Sequence, residues 1–228
     1  ASGCSIILKP SPHTPISLLC LARLIAESGA MPGLVNVVCC SNEDAARLVM
    51  DSRFSVFSFT GSAQVGWHLR SLTPARKVML ELGGNAPVLI DETADIELAA
   101  RLCAKSAFAY AGQVCISTQR VLCHSGVYNK FLEAVTEATK GISTGDPSQA
   151  GVLNGPMINK ASIERLENRL KSAISGGAQL LQGGNRWMGT DKIFEPTLLT
   201  NVPENSEMYR EEAFAPVLLV EKSGDFNQ

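Results

Sequence analysis

The sequence predicts an α/β protein built on parallel β-sheet, and two patterns support this fold class. Short apolar runs alternate with segments whose apolar residues recur every three or four positions, which is typical of strand–helix crossover units. The runs are apolar almost throughout, as expected for parallel strands that are buried on both faces. The composition, 45% hydrophobic and 18% charged, is that of an ordinary globular protein.

The first part of the chain predicts four strands separated by three helices. The strand candidates are CSIILKP, LVNVVCC, FSVFSFTG and KVMLELGG. The helix candidates are ISLLCLARLIAESG, NEDAARLVMDS and SAQVGWHLRSL. Gly29 is placed to end the first helix, and Asn42 is a favoured N-cap type at the start of the second.

A second alternating block follows Gly83–Asn85, so we expect two domains, residues 1–83 and 84–228. Its strand candidates are NAPVLID, QRVLCHSG, QLLQGG and segments within IFEPTLLTNV and FAPVLLVEK. Its helix candidates are DIELAARLCAKSAFAYAG, beginning near Asp95, VYNKFLEAVTEATKG and SIERLENRLKSAISGG.

Charge and composition argue against several classes of protein. The net charge is −2 and the basic residues are scattered, which does not favour nucleic acid or an anionic membrane. No apolar stretch reaches the roughly 18–20 residues of a membrane span, and the first residues lack a signal-peptide pattern. Seven cysteines without CxxC spacing predict a reducing compartment, the cytoplasm. Three distant histidines form no metal-ligand pattern.

Two strand ends carry groups that suit a nucleotide. In FTGS, Gly61 and Ser62 stand between a strand and a helix, where main-chain N–H groups can bind phosphate. The same pattern is typical of an ordinary glycine turn. Lys9 follows the first strand and can pair with ribose hydroxyls or a phosphate, or it can simply be solvated.

A thiol and a carboxylate stand beside glycines in GQVC and ELGG. Cys115 lies outside the apolar periodic patterns of most other cysteines, which favours a reactive thiol over a small core residue. Glu81 ends an apolar strand, where a carboxylate either serves a site or hydrogen-bonds to nearby main chain. Neither residue is decisive alone, but together with FTGS they form an ordered set of motifs along the chain.

The order of these motifs resembles the aldehyde dehydrogenase superfamily over nearly the whole chain. Eight motifs fall in the family's order: ILKPS (7–11), MPGLVNVV (31–38), FTGS (59–62), ELGG (81–84), GQVC (112–115), GP (155–156), PT (196–197) and EEAFAPV (211–217). The resemblance implies a Rossmann-like parallel sheet that binds the cofactor and an α/β catalytic domain. It also implies oxidation of an aldehyde to an acid with NAD or NADP, in a homo-oligomer when full length.

Carried over residue by residue, the resemblance makes Cys115 the nucleophile that forms a thioester and Glu81 the base that activates water to hydrolyse it. Lys9 matches the lysine at the adenine ribose, and Glu212 the glutamate at the nicotinamide ribose. The other cofactor contacts that it implies are Ser11, Gly61, Ser62, Leu82 and Phe214.

The sequence departs from the family pattern at several points. An asparagine that supplies an oxyanion donor would precede Lys9, and the family's closing segment would follow Gln228, so we expect a fragment with little or no activity. Pro12 replaces a glutamate that favours NAD, which makes NADP compatible. Cys39–Cys40–Ser41 replaces a glycine-rich turn, and Ala215 replaces a glycine.

Two alternatives remain open at this stage. A non-catalytic binding or structural protein could keep the fold, although it would need none of Cys115, Glu81, Ser62 and Glu212. A coenzyme A-acylating enzyme is disfavoured by Glu81, because members that transfer the acyl group to coenzyme A lack that glutamate. The aldehyde itself is not readable from the sequence.

Overall fold

The computed structural model describes residues 3–224, which divide into two compact units. Unit 1 ends at Leu82 and unit 2 begins at Gly83. No helix among residues 3–224 is long and apolar enough to cross a bilayer.

Unit 1 contains the predicted alternation of strands and helices. Its elements are β1 (Ile6–Leu8), α1 (Ile16–Glu27), β2 (Val35–Val37), α2 (Asn42–Met50), β3 (Val56–Thr60), α3 (Ala63–Ser71) and β4 (Lys77–Glu81). Strand β1 pairs in parallel with β2, and β3 with β4, as two separate two-stranded sheets. The N-cap of α2 is Ser41, whose side chain accepts a hydrogen bond from the Asp44 N–H, so the prediction of Asn42 was wrong by one position.

The strands of unit 1 are not buried on both faces, contrary to the sequence prediction. Val56 is 49% exposed and Met79 is 58% exposed, and partly buried and exposed positions alternate along β3 and β4. Helix α1 has no buried residue. The difference arises because each sheet has two strands and the described chain covers one face of each.

Unit 2 is built on a five-stranded mixed sheet flanked by helices. Its elements are β5 (Pro87–Ile90), α4 (Ile96–Phe108), β6 (Arg120–His124), α5 (Tyr128–Lys140), α6 (Lys160–Ser175), β7 (Gln179–Gln182), β8 (Thr197–Thr200), α7 (Glu207–Arg210) and β9 (Val217–Ser223). The strand order is β5-β6-β9-β8-β7, and every pair is parallel except the edge pair β7–β8.

Two apolar clusters cover the two faces of this sheet. Neighbouring residues of β8 and β9 alternate between them: Leu198 and Leu218 pack with α4 and α5, whereas Leu199 and Leu219 pack with α6. All four side chains are buried. The prediction of strands buried on both faces is therefore confirmed for β8 and β9, whose apolar runs follow from it, whereas the edge strands β5 and β7 keep exposed positions.

Replacement of Phe108 by alanine should strongly destabilise unit 2. Phe108 is fully buried at the end of α4, and truncation of a buried phenylalanine removes about 3–5 kcal/mol. The matched control is Leu102→Ala on the same helix, because Leu102 is 58% exposed. Urea denaturation in a Trp67→Phe background, followed by Trp187 fluorescence, measures the difference, and equal midpoints for the two variants would contradict this packing.

Replacement of Glu221 by glutamine should stabilise the chain more at neutral than at acid pH. Burial raises the pKa of Glu221, although the Val202 N–H donates to its carboxylate at 2.9 Å. A raised pKa in the folded state favours the protonated carboxyl, so its contribution to stability is lost as pH rises through that pKa. Glutamine keeps an acceptor without the charge. Urea midpoints at pH 4 and pH 7.5 measure the difference between variant and wild type, which should widen with pH.

Candidate active site

The segment that leads to Cys115 is a left-handed turn. Helix α4 stops at Phe108, earlier than predicted, because Tyr110, Ala111 and Gly112 have φ values of 54°, 56° and 65°. A Cβ atom on Gly112 would lie 2.1 Å from the Ala215 carbonyl oxygen. Only glycine fits there, and this explains the glycine of GQVC.

Gln113 fixes the chain after this turn. Its Nε2 donates to the carbonyl oxygens of Tyr110 and Pro156 at 3.2 and 3.3 Å, and its Oε1 accepts from the Ile158 N–H at 2.8 Å. A further turn closes from the Ser117 N–H to the Val114 carbonyl at 2.9 Å. Cys115 lies inside that turn, with its side chain exposed.

Exposure separates Cys115 from some of the other cysteines. Cys103 and Cys123 are buried, and burial raises the pKa of each thiol to about 11, which disfavours the thiolate. However, Cys4, Cys20 and Cys39 are exposed. A position in an apolar sequence pattern therefore did not make these three core residues, and the surrounding geometry rather than exposure alone distinguishes Cys115.

Glu212 lies in the segment between α7 and β9, residues 211–216, which we call the 211–216 loop. Its Oε1 accepts a hydrogen bond from the Gly84 N–H at 3.2 Å. A Cβ atom on Gly83, whose φ is 103°, would lie 2.2 Å from Glu212 Oε2. Burial raises the pKa of the Glu212 carboxyl, partly offset by the Gly84 hydrogen bond. The glycine pair of ELGG therefore accommodates this carboxylate.

Unit 2 thus brings together three segments that are distant in sequence. Gly84 approaches both Glu212 and the Cys115 carbonyl oxygen, 3.6 Å from a Cβ built on Gly84. Gly112 packs against Ala215 of the 211–216 loop. We call this group, Gly83, Gly84, Gly112, Cys115 and Glu212, the thiol cluster. Phe214 lies in the same loop, with a left-handed φ of 48° and 39% exposure.

The other candidate residues lie in unit 1. Lys9 Nζ donates to Asn42 Oδ1 at 2.8 Å. Beyond the carboxyl ends of β1 and β2 is a cavity of about 350 Å³, lined by Pro10, Ser11, Pro12, Pro15, Cys39, Cys40 and Ser41. This edge of a parallel sheet is where ligands of such folds bind.

The FTGS and ELGG motifs meet within unit 1. The Gly61 N–H donates to the Glu81 carbonyl at 3.0 Å, and Ser62 is the N-cap of α3, accepting from the Val65 N–H at 3.4 Å. Leu82 packs against Gly66 of α3. Glu81 ends β4 with an exposed side chain, so it can contact water without the penalty of burial.

Sequence reasoning missed the residues that hold the thiol cluster in place. Gln119 Oε1 accepts from the Ala213 N–H at 2.6 Å, and Arg169 Nη1 donates to the Glu212 carbonyl at 2.8 Å. Gln113, Gln119 and Arg169 act across 43 or more residues. The position of Gln113 inside GQVC was the one available signal. Among residues 3–224, no group of three His, Cys, Asp or Glu side chains could hold a metal ion.

The chain is similar to characterised enzymes along its length. It is 37% identical over 220 residues to the mitochondrial succinate-semialdehyde dehydrogenase of Arabidopsis thaliana, covering 95% of this chain and 42% of that protein. It is 35% identical to the 3-sulfolactaldehyde dehydrogenase of Priestia aryabhattai, covering 100% of this chain and 47% of that protein.

A solved structure gives the same result. The aldehyde dehydrogenase of Mycobacterium tuberculosis complexed with NAD+ superposes with a TM-score of 0.95 at 31% identity, covering 99% of this chain and 48% of that one. The chain therefore spans about half the length of the relatives it matches. The profile of the Aldehyde dehydrogenase family matches residues 1–228. The chain belongs to the aldehyde dehydrogenase family.

Proposed function

We propose that this chain carries the reactive thiol and the cofactor-binding groups of an enzyme that oxidises an aldehyde to a carboxylic acid with a nicotinamide cofactor. The observation that carries the proposal is the thiol cluster, in which Gly84 contacts Glu212 and lies near the main-chain carbonyl of Cys115, whose side chain is exposed. Family membership supports the reaction class, and the names of the relatives support an aldehyde substrate.

Cys115 is the proposed nucleophile. Its thiolate attacks the aldehyde carbon, and its main-chain N–H stabilises the resulting oxyanion. A bound nicotinamide would supply the hydride acceptor for this carbon, and Cys115 would then hold the acyl group as a thioester. The exposed position of the side chain leaves room for the substrate carbonyl.

Glu81 is the proposed general base. It takes a proton from the water that hydrolyses the thioester, which releases the acid and regenerates the thiol. Its exposed carboxylate at the end of β4 is accessible to water. The same carboxylate favours hydrolysis over transfer of the acyl group to coenzyme A.

Each unit, taken by itself, carries residues that we assign to contacts with a dinucleotide. In unit 1, Ser11 lines the cavity of about 350 Å³ at the strand ends and Lys9 immediately precedes its lining residue Pro10, an arrangement that suits the adenosine portion. Gly61 and Ser62 precede the first N–H groups of α3, which suit a phosphate. In the same proposal Leu82, Glu212 and Phe214 serve the nicotinamide end.

The chemistry of the adenosine cavity is compatible with NADP as well as NAD. Pro12 lines it where family members that prefer NAD carry a carboxylate, so no negative charge at that position repels a 2′-phosphate.

We assign a separate role to each domain: residues 1–83 bind the cofactor and residues 84–228 carry the nucleophile. All seven cysteines are free, which suits the cytoplasm, and we expect the enzyme to act as a homo-oligomer.

Cys115 should be the cysteine that an aldehyde protects. Reversible addition of the aldehyde to the Cys115 thiol would slow its alkylation by iodoacetamide, and NAD or NADP should change the rate further. Site-resolved mass spectrometry measures the rates, with exposed Cys4 and Cys20, which lie outside the proposed cofactor cavity, as internal controls. A Cys115 rate that ignores both aldehyde and cofactor would overturn its assignment as nucleophile, and saturable thioester formation with coenzyme A would indicate the acylating alternative.

Replacement of Lys9 by methionine should weaken binding of NAD and NADP alike. Loss of a hydrogen bond from a charged donor reduces affinity roughly 10- to 100-fold. The matched control is Lys77→Met, because Lys77 is an exposed lysine of the same unit. Calorimetric titration with each dinucleotide measures the dissociation constants. Equal affinities for the two variants would remove Lys9 from the proposed site.

A further inference from the structure

The 211–216 loop carries backbone strain that its own sequence does not relieve. Phe214 has a φ of 48°, a left-handed conformation that non-glycine residues rarely adopt. Such conformations persist only where surrounding contacts over-determine them. The contacts that hold this loop therefore determine where Glu212 lies.

Arg169 of α6 makes the strongest of these contacts. Its Nη1 donates to the Glu212 carbonyl at 2.8 Å, and its Nε donates to Glu207 Oε1 at 2.8 Å. The Arg169 side chain is only 13% exposed, whereas that of Glu207 is 59% exposed. The planar guanidinium thus contacts both Glu207 and Glu212, at the two ends of the segment 207–212. Its rigid arrangement of N–H donors restricts movement of one end relative to the other.

The neighbouring contacts do not hold the Glu212 main-chain carbonyl, so its position depends on Arg169. The Gly84 N–H binds the Glu212 carboxylate at 3.2 Å, a longer hydrogen bond, and Gln119 Oε1 accepts from the next residue, Ala213. The carboxylate cannot keep its place between Gly83 and Gly84 if the peptide that carries it moves.

We propose that Arg169 is a positioning residue, which fixes the Glu212 carboxylate through the Glu212 main-chain carbonyl. The inference rests on the proposed function in one respect, the role of Glu212 as a cofactor ligand. Because the Glu207 carboxylate is 59% exposed, solvent screens its ion pair with Arg169, and the hydrogen bond to the Glu212 carbonyl is the contact on which the proposal rests.

The test compares Arg169→Gln with a matched control, Arg186→Gln. Arg186 also forms an ion pair with α6, to Glu167 at 2.7 and 2.9 Å, so its loss removes a similar ion pair elsewhere on the same helix. Hydrogen–deuterium exchange measures protection of amides 212–215, with amides 218–222 of β9 as an internal reference. Calorimetry then measures the dissociation constants for NAD and NADP.

Arg169→Gln should speed exchange at amides 212–215 roughly tenfold and weaken dinucleotide binding by a similar factor, with β9 unchanged. Arg186→Gln should change neither. Glu207→Gln should have a smaller effect than Arg169→Gln, and Arg169→Lys should restore only part of the protection, because an ammonium lacks the fork.

Unchanged exchange in Arg169→Gln, or equal changes in Arg186→Gln, would overturn the positioning role. The two proposals fail separately. If the wild-type chain binds neither NAD nor NADP, the cofactor assignment is overturned, and the exchange rates together with an NMR pH titration of the Glu212 carboxyl still decide the positioning role. A Glu212 pKa that is unmoved by Arg169→Gln would count against it.

Discussion

The close approach of two main-chain segments at Gly112 is the constraint on which the thiol cluster depends. The left-handed turn of residues 110–112 places Gly112 against the Ala215 carbonyl, with no room for a Cβ atom. This contact joins the segment that carries Cys115 to the 211–216 loop that carries Glu212. A larger residue at Gly112 would push apart the two segments that carry Cys115 and Glu212, residues almost 100 positions apart in sequence.

The cluster combines strain with polar support. Left-handed residues at Tyr110, Ala111 and Phe214 each raise the energy of the folded chain, on the order of 1–3 kcal/mol where the conformation is sparsely populated. Side chains of Gln113, Gln119 and Arg169 hold the strained main chain through its carbonyl and N–H groups. These supports come from α6 and from either side of Cys115, so rigid elements of unit 2 position a site that lies on loops.

Much of the fold was readable from local pattern. Strands β8 and β9 are apolar runs because each contributes residues to both faces of a covered sheet, and the helices have the expected three- and four-residue spacing. The apolar runs of the unit 1 strands did not correctly predict burial. The exposure of a strand depends on how many strands pair in its sheet and on which elements cover the sheet. The premature end of α4 was also unreadable, since helix-forming Ala109 and Ala111 give no local sign of a left-handed turn.

Sequence patterns were enough to identify the candidate reactive and binding groups. These are a thiol and a carboxylate beside glycines, a lysine at a strand end and a capped helix after Gly61. These features could be recognised because each depends on neighbouring residues in the sequence, and because their order matches the family's order. Only the tertiary structure decided which groups meet. The hydrogen bond from Gly84 to Glu212 spans 128 residues and that from Arg169 to the Glu212 carbonyl spans 43, and each forms only after the sheet of unit 2 has brought its loops to one edge. Local pattern carries no information about such pairs, because their energy arises from packing between elements rather than from neighbours along the chain.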